Sequence, residues 1–194
     1  MSEANRAWDH WYHCTAWAYG RWLRGDPRGW RERDHREHVE GDYKNPPKPS
    51  KLNDALFKQS KDRMKFPPVT FAPAQRPIMG KLAMESLAIQ KIQLAAISVA
   101  GAHLHLLIRC PNDNPKVIVG KVKNHIWMHL VNGGPKLKVR DPENQPPPFW
   151  AVDSHPKSIC DKQHGTNAVI YILDHEEEGA WVWAFRDPRP KRRT

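Results

Sequence analysis

The sequence predicts an α+β fold of the ferredoxin-like βαββαβ kind: an antiparallel sheet with a long N-terminal insertion and a C-terminal tyrosine helix. Three observations predict it. IQLAAISVA (92–100) is strongly apolar and meets HLHLLIR (103–109) across Gly101-Ala102, which marks two strands joined by a tight turn. Helical periodicity flanks this hairpin on both sides. Strand-like segments stand near the start of the chain and after the second helix, completing the βαββαβ order.

The first strand is WYHCTAWAY (11–19), aromatic and ended by Gly20. Residues 20–73 read as an irregular insertion, with GDPRGW, the charge run RERDHREHVEGD, NPPKPS, and Pro67, Pro68 and Pro73 at its end; one short helix fits at about 52–63. A helix over 75–90 follows from Ile78, Met79, Leu82, Leu87 and Ala88 at helical spacing. After the hairpin, Asn112, Asp113 and Asn114 offer caps and Pro115 suits a first helical turn; this helix runs to about Leu130 and ends at Asn132-Gly133-Gly134. A proline-rich linker spans 135–148, and short strand-like pieces surround Phe149, Trp150 and Ile159. A last helix is expected over about 166–177, then GAWVWAF (179–185) as a strand or packed tail. These elements predict one domain, 1–185, and RDPRPKRRT (186–194) as a disordered basic tail.

Composition narrows the function classes. The chain has 194 residues, 39% of them hydrophobic, with nine Trp, which is enough for a core despite 18 prolines. Its 31 Lys and Arg against 21 Asp and Glu give a formal charge of +10, a balance suited to a polyanionic partner. Three scattered cysteines, Cys14, Cys110 and Cys160, argue against a disulfide framework or structural zinc and fit a reducing compartment. No segment reaches the roughly 18 apolar residues of a membrane span, and MSEANRAWDH is no signal peptide, so a cytoplasmic protein is expected.

Two motifs carry chemistry. On a strand, His103 and His105 share one face while Leu104, Leu106 and Ile108 take the other. Two imidazoles so placed on an open sheet face can hold one divalent cation; they can equally be hydrogen-bonded surface histidines. In NAVIYILDH, Val169, Ile172 and Leu173 form an apolar stripe, and Tyr171 and His175 lie one turn apart on one helix face. That spacing can set a phenol beside a metal whose third ligand is His175; a packed Tyr and a helix-C-terminal His are the plainer alternative. Together the motifs suit phosphodiester cleavage. A phenol with a pKa of about 10 is a weak nucleophile, a cation offsets charge in the transition state, and a phosphotyrosine conserves the bond for rejoining.

Other residues remain open to two readings. His125 and His129 sit at i,i+4 spacing, but HIWMH lacks the acidic residue of a zincin helix, so a packed or solvated face is expected. His35 and His38 lie in the charge run. Trp17, Trp22 and Trp30 can stack bases or fill a core. Arg21, Arg24 and Arg28, in the Arg-rich 21–36 segment, and the 186–193 tail are candidate phosphate contacts or solubilising charge.

GAHLHLLIR resembles the HUH motif, and VIYILDH resembles the catalytic helix of single-tyrosine HUH transposases, the small insertion-sequence and REP-associated tyrosine transposases. WYHCTAWAYGRWLRGDPRGW resembles the opening strand and loop of a bacterial branch, KFPPVTFAPAQRPIMGKLAMESL its approach to the first helix, and KVIVGKVKNHIWMHL the helix after the hairpin. The resemblance covers most of residues 9–176. It implies a domain that binds single-stranded or hairpin DNA and nicks it with a divalent cation, Mg or Mn, leaving a 5′-phosphotyrosine and a free 3′-OH. By position it implies His103 and His105 as metal ligands and Tyr171 as nucleophile; Lys121 and Lys123, in the helix after the hairpin, can be phosphate contacts or plain surface lysines. His175 stands where related proteins often have Gln or Asn, and SVAGA departs from the usual stretch before the first His. The resemblance also implies a possible homodimer, with the tyrosine helix acting in cis or exchanged. A silent hairpin-binding protein of the same fold, or a hydrolase that activates water at the His pair, are the competing expectations.

Overall fold

The computed structural model describes residues 8–21, 23–27, 51–112, 114–132 and 148–189. The chain divides into two compact units, Gly20–Val69 and a larger one formed by Met1–Tyr19 with Thr70–Thr194.

The larger unit is built on five strands: β1 (Trp11–Ala18), β2 (Gln93–Val99), β3 (His103–Arg109), β4 (Trp150–Ser158) and β5 (Trp181–Ala184). They form one antiparallel sheet in the order β4-β1-β3-β2-β5. Helix α1 (Lys51–Asp62) belongs to the smaller unit; α2 (Gln75–Ile89), α3 (Pro115–Asn132) and α4 (Lys162–Asp174) belong to the larger. With α2 between β1 and β2, and α3 between β3 and β4, the first four strands follow the βαββαβ plan, and β5 adds an edge beside β2.

In the smaller unit α1 is packed by local contacts. Gly25 adopts φ 77 and lies so close to the Asn53 carbonyl and Phe57 amide that a Cβ would overlap them. Lys61 Nζ sits 4.8 Å above the Phe57 ring.

Three elements differ from the sequence reading. Residues 150–158 form one continuous strand rather than short pieces, paired with β1 from Tyr12↔Ser158 to Ala18↔Trp150. Pro156 interrupts the strand pattern in the sequence, but β4 is an edge, where a missing ladder donor is tolerated. Helix α4 starts at Lys162, not at about 166, because the Asp161 carboxylate accepts the His164 amide at 2.8 Å and caps the first turn. Gly165 lies inside the helix, where a Cβ would overlap the Trp8 ring. After Asp174 the chain tightens into a 3-10 turn, His175–Glu178, stopped by Gly179 at φ 78.

The two sheet faces carry different loads. Leu104, Leu106 and Ile108 are fully buried, as are Met79, Ala83 and Leu87 of α2 and Val119, Val122 and Ile126 of α3. Each such large side chain contributes roughly 1.5–3 kcal/mol by leaving water. Leu107, one residue out of phase, packs on the opposite face with Ala96 and with Ala168, Val169, Ile172 and Leu173 of α4. The histidine face is therefore not open, as the strand pattern suggests, but covered by the last helix. A one-residue slip of β3 would exchange the two faces, so the apolar pattern fixes which way the histidines point.

Of the tail expected to begin at 186, residues 186–189 are described and hold contacts. Arg189 donates to the Leu173 carbonyl at 3.0 Å and to Glu176 at 3.1 Å, and pairs with Asp187 at 2.8 Å. A cation there complements the carbonyl end of α4. Residues 190–194 lie outside the described residues.

Candidate metal centre

The site grows from register. Cross-strand pairing sets Thr15 opposite His105 and Trp17 opposite His103, with Ser98 of β2 opposite His105 on its other side. Directly opposed residues share a face, so His13, Thr15, Trp17, Ser98, His103 and His105 all point towards α4. From the end of α4, His175 comes down onto the same patch. His103, His105 and His175 bring one ligand atom each to within 4.8 Å of one another. Their ring centroids are 4.7 Å apart for His103–His105, 5.2 Å for His103–His175 and 4.7 Å for His105–His175.

The protonation pattern suits a cation. His175 donates Nδ1–H to the Tyr171 carbonyl at 2.8 Å, which leaves the Nε2 lone pair for a ligand. His105 is 3% exposed, and its Nδ1 meets His13 Nε2 at 3.0 Å and Thr15 Oγ1 at 3.1 Å. His103 Nε2 and Ser98 Oγ are buried without a hydrogen-bond partner. A buried ring nitrogen left without a partner inside an imidazole cluster is costly unless something binds it. Burial, and then the neighbouring His175, hold His103 down to about 4. Burial, then Lys157, His175 and His164, hold His13 down to about 4. His105 is held well below the usual imidazole range by burial, then by His103, His13 and His175. Neutral imidazoles with free lone pairs are the ligand form, so this set can hold a divalent cation.

Tyr171 stands at the rim. Its ring centroid is 5.4 Å from His105, 4.8 Å from His175 and 5.6 Å from His13, and the residue is 40% exposed. One chain thus brings together all four residues singled out from the two motifs. The i,i+4 step sets Tyr171 beside His175, and docking of α4 on Leu107 sets both over the strand histidines.

The other residues singled out lie elsewhere or are engaged differently. Lys123 of α3 donates to the carbonyls of Ala151 at 2.5 Å and Val152 at 3.2 Å, so its ammonium ties α3 to β4. Burial lowers its pKa, partly opposed by Asp153. Lys121 is exposed on the same helix. Arg21 and Arg24 belong to the smaller unit, where Arg21 donates to the Val69 carbonyl at 3.3 Å. Arg28, Trp22, Trp30, His35 and His38 lie outside the described residues. Trp17 packs against His103 with centroids 4.8 Å apart.

Sequence reasoning missed His13, Thr15 and Lys157. Lys157 is exposed on β4 directly opposite His13, hence on the site face. Period-two alternation within WYHCTAW could have placed His13 and Thr15 on one face, but not beside His105, which depends on a pairing 90 residues away in the chain.

No helix among the described residues is long and apolar enough to cross a membrane. No protein-family model and no curated protein matches the sequence. Among solved structures, the chain is similar to one described as a REP-associated tyrosine transposase bound to a REP hairpin. The identity is 13% and the TM-score 0.45, over 92% of this chain and 75% of the other.

Proposed function

We propose that this protein is a metal-dependent single-stranded DNA transposase-type endonuclease that nicks and rejoins strands through a 5′-phosphotyrosine on Tyr171. The observation that carries the proposal is the meeting of an exposed phenol with a cluster of three imidazoles in one chain. The chain's net charge of +10 and the exposed Lys157 beside the cluster favour a phosphodiester substrate over a neutral one.

His103, His105 and His175 would hold the cation; three nitrogen donors suit Mn better than Mg, and both belong in the assay. When bound, it would polarise the phosphate and offset charge as the bond order changes. The chain's own residues do the rest. His175, locked through the Tyr171 carbonyl, and the packed stripe of Val169, Ile172 and Leu173 hold the phenol in place. The Tyr171 oxygen forms a bond to phosphorus as the bond to the 3′ oxygen breaks. The phenol proton passes to water at the exposed rim, and the departing 3′ oxygen takes one up. Attack by a 3′-OH on the phosphotyrosine reverses these changes and restores the phenol, so rejoining needs no nucleotide energy source.

The test is incubation with Mn and labelled hairpin-flanked single strands, read as a covalent protein–DNA band on a denaturing gel. The wild type should form the band and Tyr171→Phe should not, with hairpin affinity kept within about threefold. Adducts that persist in Tyr171→Phe would disprove the nucleophile. Free nicked DNA without adduct would favour water activation at the histidines, and binding without cleavage a silent hairpin-binding protein.

A further inference from the structure

The site as proposed uses Tyr171 and three histidines and leaves His13 without a task. His13 is nevertheless placed with care. It sits on β1 one diagonal step from His105, its Nε2 is 3.0 Å from His105 Nδ1, and its ring meets Tyr171 edge-on at 5.6 Å. It therefore touches both halves of the site from the strand that belongs to neither motif.

We infer that His13 is a positioning residue: its Nε2 accepts the Nδ1–H of His105 and so fixes His105 in the tautomer that turns the Nε2 lone pair to the cation. The inference rests on the reading of the cluster as a metal centre. A neutral imidazole can carry its proton on either nitrogen, and only the Nδ1–H form has a free Nε2. Two polar atoms lie within 3.1 Å of His105 Nδ1, the His13 Nε2 and the Thr15 hydroxyl oxygen, and each can accept a proton carried there. His13 in turn must carry its own proton on Nδ1, away from His105.

The choice of a neutral acceptor has a chemical reason. Ligand histidines are commonly oriented by a carboxylate. A carboxylate at position 13 would stand beside Tyr171, where an anionic phosphodiester has to arrive, and would repel it. An imidazole gives the same orientation without the charge. His13 thus sets metal affinity and substrate tolerance together, and substitutions should move the two in different directions.

The experiment uses the full chain and Mn as the probe, with affinity read by EPR of free Mn and adduct formation read separately. His13→Phe keeps the edge contact with Tyr171 but has no lone pair, and should weaken Mn binding about tenfold, the range expected when an outer partner of a ligand is lost. His13→Gln restores an acceptor and should recover most of the affinity. His13→Glu should bind Mn as tightly as the wild type or more so, yet require more DNA for half-maximal adduct formation. His13→Phe binding Mn like the wild type overturns the positioning role while leaving the metal centre standing. A wild type that binds no Mn overturns the metal centre and this inference with it. Should a variant fail to fold, nitrogen NMR of the Mg-loaded wild type decides: Nδ1–H on His105 is expected, and Nε2–H would overturn the inference.

Discussion

The chain carries two histidine pairs that look alike on paper, and the fold treats them differently. His103 and His105 lie two apart on a strand; His125 and His129 lie four apart on α3. Each pair shares a face and each brings its rings close, 4.7 Å and 4.1 Å between centroids. The strand pair sits under α4, gains His175 as a third imidazole and has His13 behind it. The helix pair turns inward on itself: His129 Nδ1 donates to the His125 carbonyl at 2.8 Å, and His125 Nε2 looks towards Glu85 of α2 at 3.5 Å. Among the described residues it forms no set of three ligand atoms within 4.8 Å of one another, Glu85 notwithstanding. The difference teaches that spacing supplies two ligands at most. A usable centre appears only where a separate element delivers a third and where burial keeps the lone pairs unprotonated.

Mutation of the two pairs gives the sharpest contrast. His105→Ala should lower Mn affinity by a hundredfold or more and abolish adducts, whereas His125→Ala with His129→Ala should change neither by more than about threefold. Titration of Mn into the three proteins decides this, and equal losses in both pairs would erase the distinction.

A smaller contrast lies in acid. In the folded protein His13 and His103 are held near 4 from an ordinary value of 6.5. As pH falls below 6.5 the unfolded chain takes up protons that the folded chain refuses. Their contribution is therefore fully present above pH 6.5 and is lost as pH falls through 4. Thermal melts of chelated protein should show the midpoint falling across that window. The fall should be shallower in His103→Ala and unchanged in the His125, His129 double variant; a flat profile in the wild type would contradict the buried neutral cluster.

Next in size are the two lysines of α3. Lys123→Met removes a charged donor from the β4 carbonyls and should cost about 1–3 kcal/mol of stability with hairpin affinity unchanged. Lys121→Ala should leave stability alone; if Lys121 meets phosphate, the slope of log affinity against log salt falls by about one. Loss of DNA affinity in Lys123→Met, measured on folded protein, would reverse the assignment of the two. The smallest effect is expected from Arg189→Ala, which frees the end of α4 and exchanges an exposed ion-pair set for water, at about 1 kcal/mol or less.

Much of this was legible in the residues. The alternation of HLHLLIR placed two imidazoles opposite an apolar face, and the three leucine and isoleucine positions are indeed fully buried. The stripe Val169, Ile172 and Leu173 likewise set the side from which Tyr171 and His175 project. The reading falls short at two places: the short strand-like pieces expected around Phe149, Trp150 and Ile159 are one strand, 150–158, paired along β1, and the last helix, expected from about 166, begins at Lys162 under the Asp161 cap.

By itself the amino-acid order determined which side chains share a face, because side-chain direction within a strand or helix follows from backbone geometry over a few residues. The tertiary structure alone decided which faces meet. Docking of α4 over the histidines, the arrival of His175 and the hydrogen bond between His105 and His13 depend on the burial of Leu107 against residues some sixty positions later and on a β1–β3 register spanning about ninety. Those are long-range choices, made by the apolar surface of the whole unit rather than by any motif within it.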